Sequence, residues 1–233
     1  MTPAVLLDIE GTVGDIAFVR EVLFPYARAR IADVLKARWN DPEIAEAVQA
    51  ARSSSTSALP TAADATRQFL SWMDEDKKIT PLKALQGIIW REGYASGTLK
   101  AHLYPDAIEA IRAWHAKGIA LFIYSSGSIE AQKLYFAHSV AGDLTPLIGE
   151  YFDTTTGAKA DPESYKAIVG MIGFAPREIT FFSDAPAETA AAQAAGFNVY
   201  RVDRTKPVAF EGRDGDTPVV GSFATVISLP DAR

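Results

Sequence analysis

The chain has 233 residues, and its 23 Lys and Arg against 29 Asp and Glu give a net charge of −6. With 48% apolar residues, it is typical of a folded globular protein, which excludes disordered, collagen-like and coiled-coil chains. The absence of cysteine excludes a disulfide scaffold, thiol catalysis and thiolate zinc sites. An acidic balance without a Lys/Arg cluster argues against nucleic acid or anionic lipid as a partner. Apolar stretches are too short to cross a bilayer and no secretory signal pattern is present, so we expect a soluble cytoplasmic protein.

Four apolar runs predict buried strands of a parallel sheet, because they are apolar on both faces. They cover residues 4–7, 119–124, 179–182 and 197–202. Helical patterns over 106–117, 128–138 and 185–195 lie between them. Alternating strands and helices predict an α/β fold with a doubly wound, mostly parallel sheet.

An all-helical block is expected between the first and second strands, over residues 20–99. Asp41 and Thr80 each precede a proline and are predicted to cap helices. The sheet domain, a Rossmann-like core, then consists of residues 1–19 and 100–233, with 20–99 as an inserted helical cap. The four tryptophans lie on apolar helical stripes and are predicted to be core residues: Trp39, Trp72, Trp90 and Trp114.

Polar side chains follow the apolar runs at the points where the strands should end. They are Asp8, Glu10, Thr12, Ser125, Ser126, Lys159 and Asp184. Ligands of open parallel sheets bind outside the carboxyl ends of the strands. We therefore expect these side chains, distant in sequence, to meet at one rim of the sheet.

The pair Asp8 and Glu10 is the strongest chemical signal at this rim. Two residues apart on an extended segment, they face the same side and repel each other. A hard divalent cation such as Mg²⁺ would neutralise them, with Asp184 as a third carboxylate. Alternatively, one carboxylate is a nucleophile that forms an aspartyl phosphate. Solvated loop acids or helix N-caps are the plainer interpretation of such a pair on its own.

The remaining rim residues are typical of an anion site. Ser125 and Ser126 precede a helix, whose N-terminal N–H groups attract phosphate, although Ser128 would also serve as a simple N-cap. Lys159 would reach a phosphate as a point charge, or else it is a surface lysine. Asp184, with Glu188 four residues later, places acids at the end of the third of these strand-like runs, although Glu188 alone would also be an ordinary first-turn helix acid favoured by the helix dipole.

The order and setting of Asp8-Ile9-Glu10-Gly11-Thr12, Ser125, Lys159 and Asp184 resemble the four motifs of the haloacid dehalogenase superfamily of phosphohydrolases. Glu10 departs from the usual DxDGT pattern. That departure, together with the blocks 18–27 and 123–133, is similar to the enolase-phosphatase (acireductone synthase) family of methionine salvage. The resemblance covers residues 5 to about 200. The chain departs from the family at Val13-Gly14-Asp15, where a Thr/Pro-rich stretch is usual.

The resemblance implies a substrate, 2,3-diketo-5-methylthio-1-phosphopentane, that is enolised and then dephosphorylated to an acireductone. It implies one Mg²⁺ per chain on Asp8, Glu10 and Asp184, and a cytoplasmic monomer. Asp8 would be the nucleophile and Glu10 the general acid and then base. Ser125, Ser126 and Lys159 would bind the phosphate. Whether Glu10 binds metal through its side chain or its carbonyl stays open.

Three other functions remain on the sequence alone. A phosphatase of another small phosphomonoester would use the same catalytic motifs. A dehalogenase proper would attack carbon without a metal, which Glu10 and Asp184 disfavour. A catalytically silent binding module would have no need to keep a complete set of mutually repelling acids.

Overall fold

The structure is a computed structural model that describes residues 4–228. The chain forms two compact units, Met1–Ile16 with Ala101–Arg233, and Ala17–Lys100. No helix within residues 4–228 is long and apolar enough to span a lipid bilayer.

The first unit contains one seven-stranded sheet. Its strands are β1 (Ala4–Leu7), β2 (Ala120–Tyr124), β3 (Glu150–Phe152), β4 (Ile179–Ser183), β5 (Asn198–Val202), β6 (Glu211–Asp214) and β7 (Thr217–Val220). Their order is β3-β2-β1-β4-β5-β7-β6, and every neighbouring pair is parallel except β6 and β7. The predicted α/β fold with a mostly parallel sheet is confirmed.

Helices cover both faces of this sheet. Neighbouring strand residues point to opposite sides, and in the central strands the residues on both sides are buried. The helices are α5 (Pro105–Ala116), α6 (Ile129–Ala137), α7 (Pro162–Ile172) and α8 (Pro186–Ala194). On one face Phe181 packs against Tyr165 of α7, with ring centroids 5.3 Å apart. On the other, Phe182 stacks on Trp114 of α5 at 5.4 Å. Burial on both faces explains why β1 and β4 have no polar alternation.

Three strands have no counterpart among the sequence predictions. β3 is a three-residue edge strand, too short for periodicity to reveal. β6 and β7 form a hairpin around the Gly215 turn, and most of β6 is exposed and polar. β3 and β7 bury only two apolar residues each and β6 buries none, so hydrogen bonding to a neighbouring strand is what defines these short segments.

The second unit is helical. It contains a π-helix (Phe18–Leu23), α1 (Phe24–Ala37), α2 (Pro42–Ser54), α3 (Ala62–Asp74) and α4 (Thr80–Ala95). Asp41 caps α2 as predicted, accepting a 3.1 Å hydrogen bond from the Glu43 amide.

Two predictions for these helices are wrong. Thr80 does not cap α4, because it is already the first helical residue. The N-cap position is occupied by Ile79, which makes no side-chain capping hydrogen bond. Trp39 lies two residues beyond the end of α1 and is only partly buried, so it is not a core residue of that helix. The apolar pattern of α1 extends in sequence to Trp39, but the helix itself ends at Ala37, where the turn before Asp41 begins.

Candidate active site

The sheet order brings three of the predicted residues to adjacent strand ends. β1 lies between β2 and β4, so Asp8 follows the central strand of the three, with Ser125 and Asp184 at the ends of its neighbours. The Asp8 amide donates a 3.0 Å hydrogen bond to the Phe182 carbonyl, which continues the ladder one residue beyond β1. Crossovers of parallel strands thus gather residues more than a hundred positions apart.

The turn after Asp8 is tight and closely packed. The amides of Thr12, Val13 and Gly14 all donate to the Ile9 carbonyl, at 2.9–3.2 Å. Gly11 has φ +76°, and a Cβ there would collide with the Asp184 carboxylate. Glycine is required both for the left-handed backbone and for the approach of that carboxylate.

The Thr12 hydroxyl connects the ends of β1 and β4. It donates a 3.0 Å hydrogen bond to Asp8 Oδ2 and accepts one of 2.9 Å from the Asp184 amide. Because the amide supplies one proton to the oxygen, the single hydroxyl proton is directed at Asp8. Thr12 is fully buried and so holds the Asp8 carboxylate in one orientation.

Lys159 binds the other oxygen of Asp8. Its Nζ donates to Asp8 Oδ1 and lies 2.7 Å from Glu188 Oε2. Burial alone would lower the pKa of Lys159, but the two carboxylates outweigh it and raise the pKa to about 12. Lys159 is therefore a buried permanent cation, and the surface-lysine alternative is wrong.

The loop that carries Lys159 is held from behind. Tyr165 donates its hydroxyl proton to the Lys159 carbonyl at 2.7 Å, and Ser164 donates to the Ala158 carbonyl at 2.8 Å. A Cβ on Gly157, whose φ is +150°, would collide with Ser164. The lysine backbone is thereby fixed although it lies in a loop.

Negative charge exceeds positive charge around Asp8. Desolvation and repulsion from Asp8 and Glu188 raise the pKa of Asp184 to about 6. Burial and repulsion from Asp8 likewise raise the pKa of Glu188, despite the opposing effect of Lys159. One lysine thus faces three carboxylates, so an added cation would stabilise the ionised site.

The other predicted residues lie beside this cluster. Glu10 is half-buried, and its backbone forms a bridge with Gly14 inside the turn. Ser125 is buried, its amide donates to the Phe152 carbonyl at 3.1 Å, and its hydroxyl accepts from the Gly127 amide at 3.2 Å. Ser126, directly after it, is partly exposed.

The donor atoms at this rim suit Mg²⁺. They are all oxygens, and Mg²⁺ typically takes one or two carboxylates and completes its octahedron with water and substrate phosphate. Among residues 4–228, no three His, Cys, Asp or Glu side chains are grouped so as to hold a metal by themselves. Asp8 and Asp184 would therefore supply side chains, with further oxygens from backbone, water or a phosphate group.

Two members of the cluster have greater roles than their sequence signals indicated. Glu188, which alone would be an ordinary first-turn helix acid, accepts hydrogen bonds from Lys159 and, at 2.8 Å, from Ser183. Its position, four residues after Asp184 on the first turn of α8, was the available signal. Thr12 had only its place after Gly11, and no spacing rule predicts its link to the Asp184 amide.

Comparisons with known proteins show which family the chain resembles. A family model described as haloacid dehalogenase-like hydrolase matches residues 2–196. Proteins named enolase-phosphatase E1 from Alcanivorax borkumensis and Pseudomonas aeruginosa are 48% and 47% identical to the chain, each over 96% of this chain and 97% of the relative. The crystal structure of the UTR4 protein from Saccharomyces cerevisiae superposes with a TM-score of 0.81 at 33% identity, covering 97% of this chain and 100% of that one. A dehalogenase structure, at 19% identity and a TM-score of 0.57, shares the fold.

Proposed function

The chain belongs to the enolase-phosphatase E1 family of haloacid dehalogenase-like hydrolases, and we propose that it converts 2,3-diketo-5-methylthio-1-phosphopentane into an acireductone and phosphate. The resemblance inferred from the sequence motifs is confirmed by the identity of these relatives over nearly the whole chain. The observation that carries the proposal is the buried Asp8 carboxylate, held by Thr12 and Lys159 at the sheet rim.

Asp8 is the nucleophile in this proposal. One of its oxygens attacks phosphorus, the bond from phosphorus to the substrate's C1 oxygen breaks, and an aspartyl phosphate forms. Each carboxylate oxygen has two lone pairs, so the bonds from Thr12 and Lys159 leave acceptor capacity on both. Glu10 protonates the departing oxygen and then takes a proton from the water that releases phosphate and regenerates Asp8.

Lys159, Ser125 and Ser126 bind the phosphoryl oxygens and stabilise the charge that develops on them. Lys159 suits this role because its charge is permanent and its backbone is fixed by Tyr165. Asp8, Asp184 and Glu10, the last through a side-chain or carbonyl oxygen, would hold one Mg²⁺. When bound, the metal neutralises the anionic phosphate so that a carboxylate can approach it.

Enolisation precedes dephosphorylation in this scheme. A base removes a proton from the carbon next to a carbonyl group, and Glu10 is the candidate within the predicted set. The helical unit is proposed as the cap that selects the methylthio end and excludes water during this step. The chain is further predicted to act as a monomer.

The proposal is tested by incubating the diketone phosphate with the protein and Mg²⁺ while following enol absorbance and phosphate release separately. Enol formation followed by stoichiometric phosphate is the expected result. Phosphate release from simple phosphomonoesters without turnover of the diketone would instead identify a phosphatase of different specificity. The absence of both signals would support a silent binding module.

A further inference from the structure

The turn after Asp8 has a partner outside the predicted motifs. Arg204, on the connection after β5, donates two hydrogen bonds to the Thr12 carbonyl, from Nε at 3.0 Å and from Nη2 at 2.6 Å. The same threonine's hydroxyl orients the Asp8 carboxylate. The guanidinium therefore binds the backbone of the residue that holds the nucleophile.

Arg204 is itself held in place from several sides. Its Nη1 donates to Asp106 Oδ2 at 2.7 Å, and its guanidinium lies over the Tyr104 ring, 4.1 Å from the centroid. Asp106 also accepts hydrogen bonds from the Ser222 hydroxyl at 2.6 Å and the Phe223 amide at 2.7 Å. A planar guanidinium between a carboxylate, an aromatic face and a carbonyl has little freedom to move.

The residues next to Thr12 are anchored to the same region. The Tyr104 amide donates to the Val13 carbonyl at 2.9 Å, and the Asp15 amide donates to His102 Nδ1 at 3.2 Å. These two contacts hold the far end of the turn. Arg204 alone among these contacts holds the carbonyl of Thr12 itself, where a small displacement would rotate the hydroxyl away from Asp8.

From this geometry we propose that Arg204 is a positioning residue that fixes the Thr12 peptide and, through the Thr12 hydroxyl, the reactive orientation of Asp8. This inference deepens and rests on the proposed function. It assigns Arg204 no contact with substrate. Loss of the guanidinium should thus lower the rate of phosphoryl transfer and leave substrate affinity nearly unchanged, since misplacement of a reacting group by about 1 Å costs up to about 10²-fold in rate.

The competing role for Arg204 is only structural, in joining the connection after β5 to α5 through Asp106. Ser222→Ala tests that role, because it removes a hydrogen bond to the same Asp106 oxygen without touching Thr12. It is the matched control for Arg204→Met. Arg204→Lys keeps a charge for Asp106 but cannot make the paired bonds to the Thr12 carbonyl, so it serves if Arg204→Met does not fold.

Two readouts are taken on the full-length wild type and the three variants. Hydrogen exchange of the amides of residues 11–14 and of Asp184 reports the order of the turn without any substrate. We expect exchange to accelerate at least about tenfold in Arg204→Met and less in Arg204→Lys, with no local change in Ser222→Ala. Steady-state kinetics should show kcat about tenfold lower in Arg204→Met with KM within about twofold of wild type.

Unchanged exchange of these amides in both Arg204 variants would overturn the inference, whatever the kinetics. So would an equal loss of kcat in Ser222→Ala, since that variant leaves the Thr12 contact intact. A wild-type protein that does not turn over the diketone phosphate would contradict the proposed function, whereas the exchange measurement would still decide the role of Arg204.

Discussion

Two clusters in this protein pair carboxylates with basic side chains, but the pKa values of their carboxyl groups are shifted in opposite directions. In the helical unit, Arg38 binds Asp41 at 2.9 Å and also pairs with Glu92, while Arg91 binds Glu43 at 2.8 Å. There the hydrogen bond from Arg38 lowers the pKa of Asp41, as an ion pair should. At the sheet rim, desolvation and neighbouring carboxylates raise the pKa of Asp184 to about 6 and also raise that of Glu188.

The difference separates an ion-pair network that stabilises a fold from the cluster that we propose as the catalytic site. Water screens the charges of the Arg38 cluster, and each carboxylate is near a guanidinium, so its contribution to stability is small and favourable. The rim holds three carboxylates around one buried lysine, so ionisation of all three is unfavourable without the proposed cation. Carboxyl pKa values perturbed in this way are typical of functional sites.

The largest expected effect comes from removing the nucleophile. Asp8→Asn should lower phosphate release by at least about 10³-fold, because an amide cannot form the acyl phosphate. Enol absorbance should still appear if Glu10 or another base removes the carbon proton, so an enol phosphate should accumulate. Phosphate release within tenfold of wild type would contradict the role of Asp8. Equal loss of both signals would show that Asp8 or its metal is needed for enolisation too.

Removing the divalent cation tests whether the excess negative charge of the rim requires a metal for activity. Activity should vanish in EDTA and return on addition of Mg²⁺, because the anionic phosphate cannot approach Asp8 unneutralised. Ca²⁺ should restore little activity, since its larger and looser coordination would misplace phosphorus. Turnover that persists undiminished in chelator would favour a metal-free, dehalogenase-like reaction.

Lys159 and Lys166 provide a matched pair of lysines, one buried in the rim and one on the exposed face of α7 beside Glu163. Lys159→Ala should lower both half-reactions by about 10²-fold, because a phosphate-binding charge is lost and two carboxylates remain buried without their cation. Lys166→Ala should leave turnover and melting temperature within error of wild type. Comparable losses in the two variants would place the effect outside the site.

The smallest effects are on stability and should differ in sign between the two clusters. Since the folded-state pKa of Asp184 lies above its ordinary value, ionisation destabilises the metal-free protein as pH rises from about 4 through about 6. Asp184→Asn in EDTA should therefore melt higher than wild type at pH 8 and similarly at pH 4, and Mg²⁺ should no longer raise its melting temperature.

In the helical cluster, Asp41→Ala should instead lower the melting temperature, because α2 loses its N-cap and Arg38 loses its partner. Thermal melts in EDTA measure both variants. A lower melting temperature for Asp184→Asn than for wild type at pH 8 would contradict the charge excess assigned to the rim.

Much of the fold was predictable because its central strands are visible in the sequence as apolar runs. β1 and β4 are continuous apolar runs, and each is followed at once by the acid that reaches the rim. The short β3 and the polar β6 carry no such signal, since pairing with a neighbour defines them. Thr80 shows the limit for helices: the same residue pattern before proline capped α2 at Asp41 but lay inside α4.

The sequence by itself determined the chemistry available to this protein: the identity and order of Asp8, Glu10, Ser125, Ser126, Lys159 and Asp184, and a rim for them to meet at. Only the tertiary structure decided which groups touch. Thr12 joins Asp8 to the Asp184 amide, Lys159 lies between Asp8 and Glu188, and Arg204 binds the Thr12 carbonyl. Periodicity reports burial along one element, whereas these contacts depend on the order of strands in the sheet and on loops between distant segments.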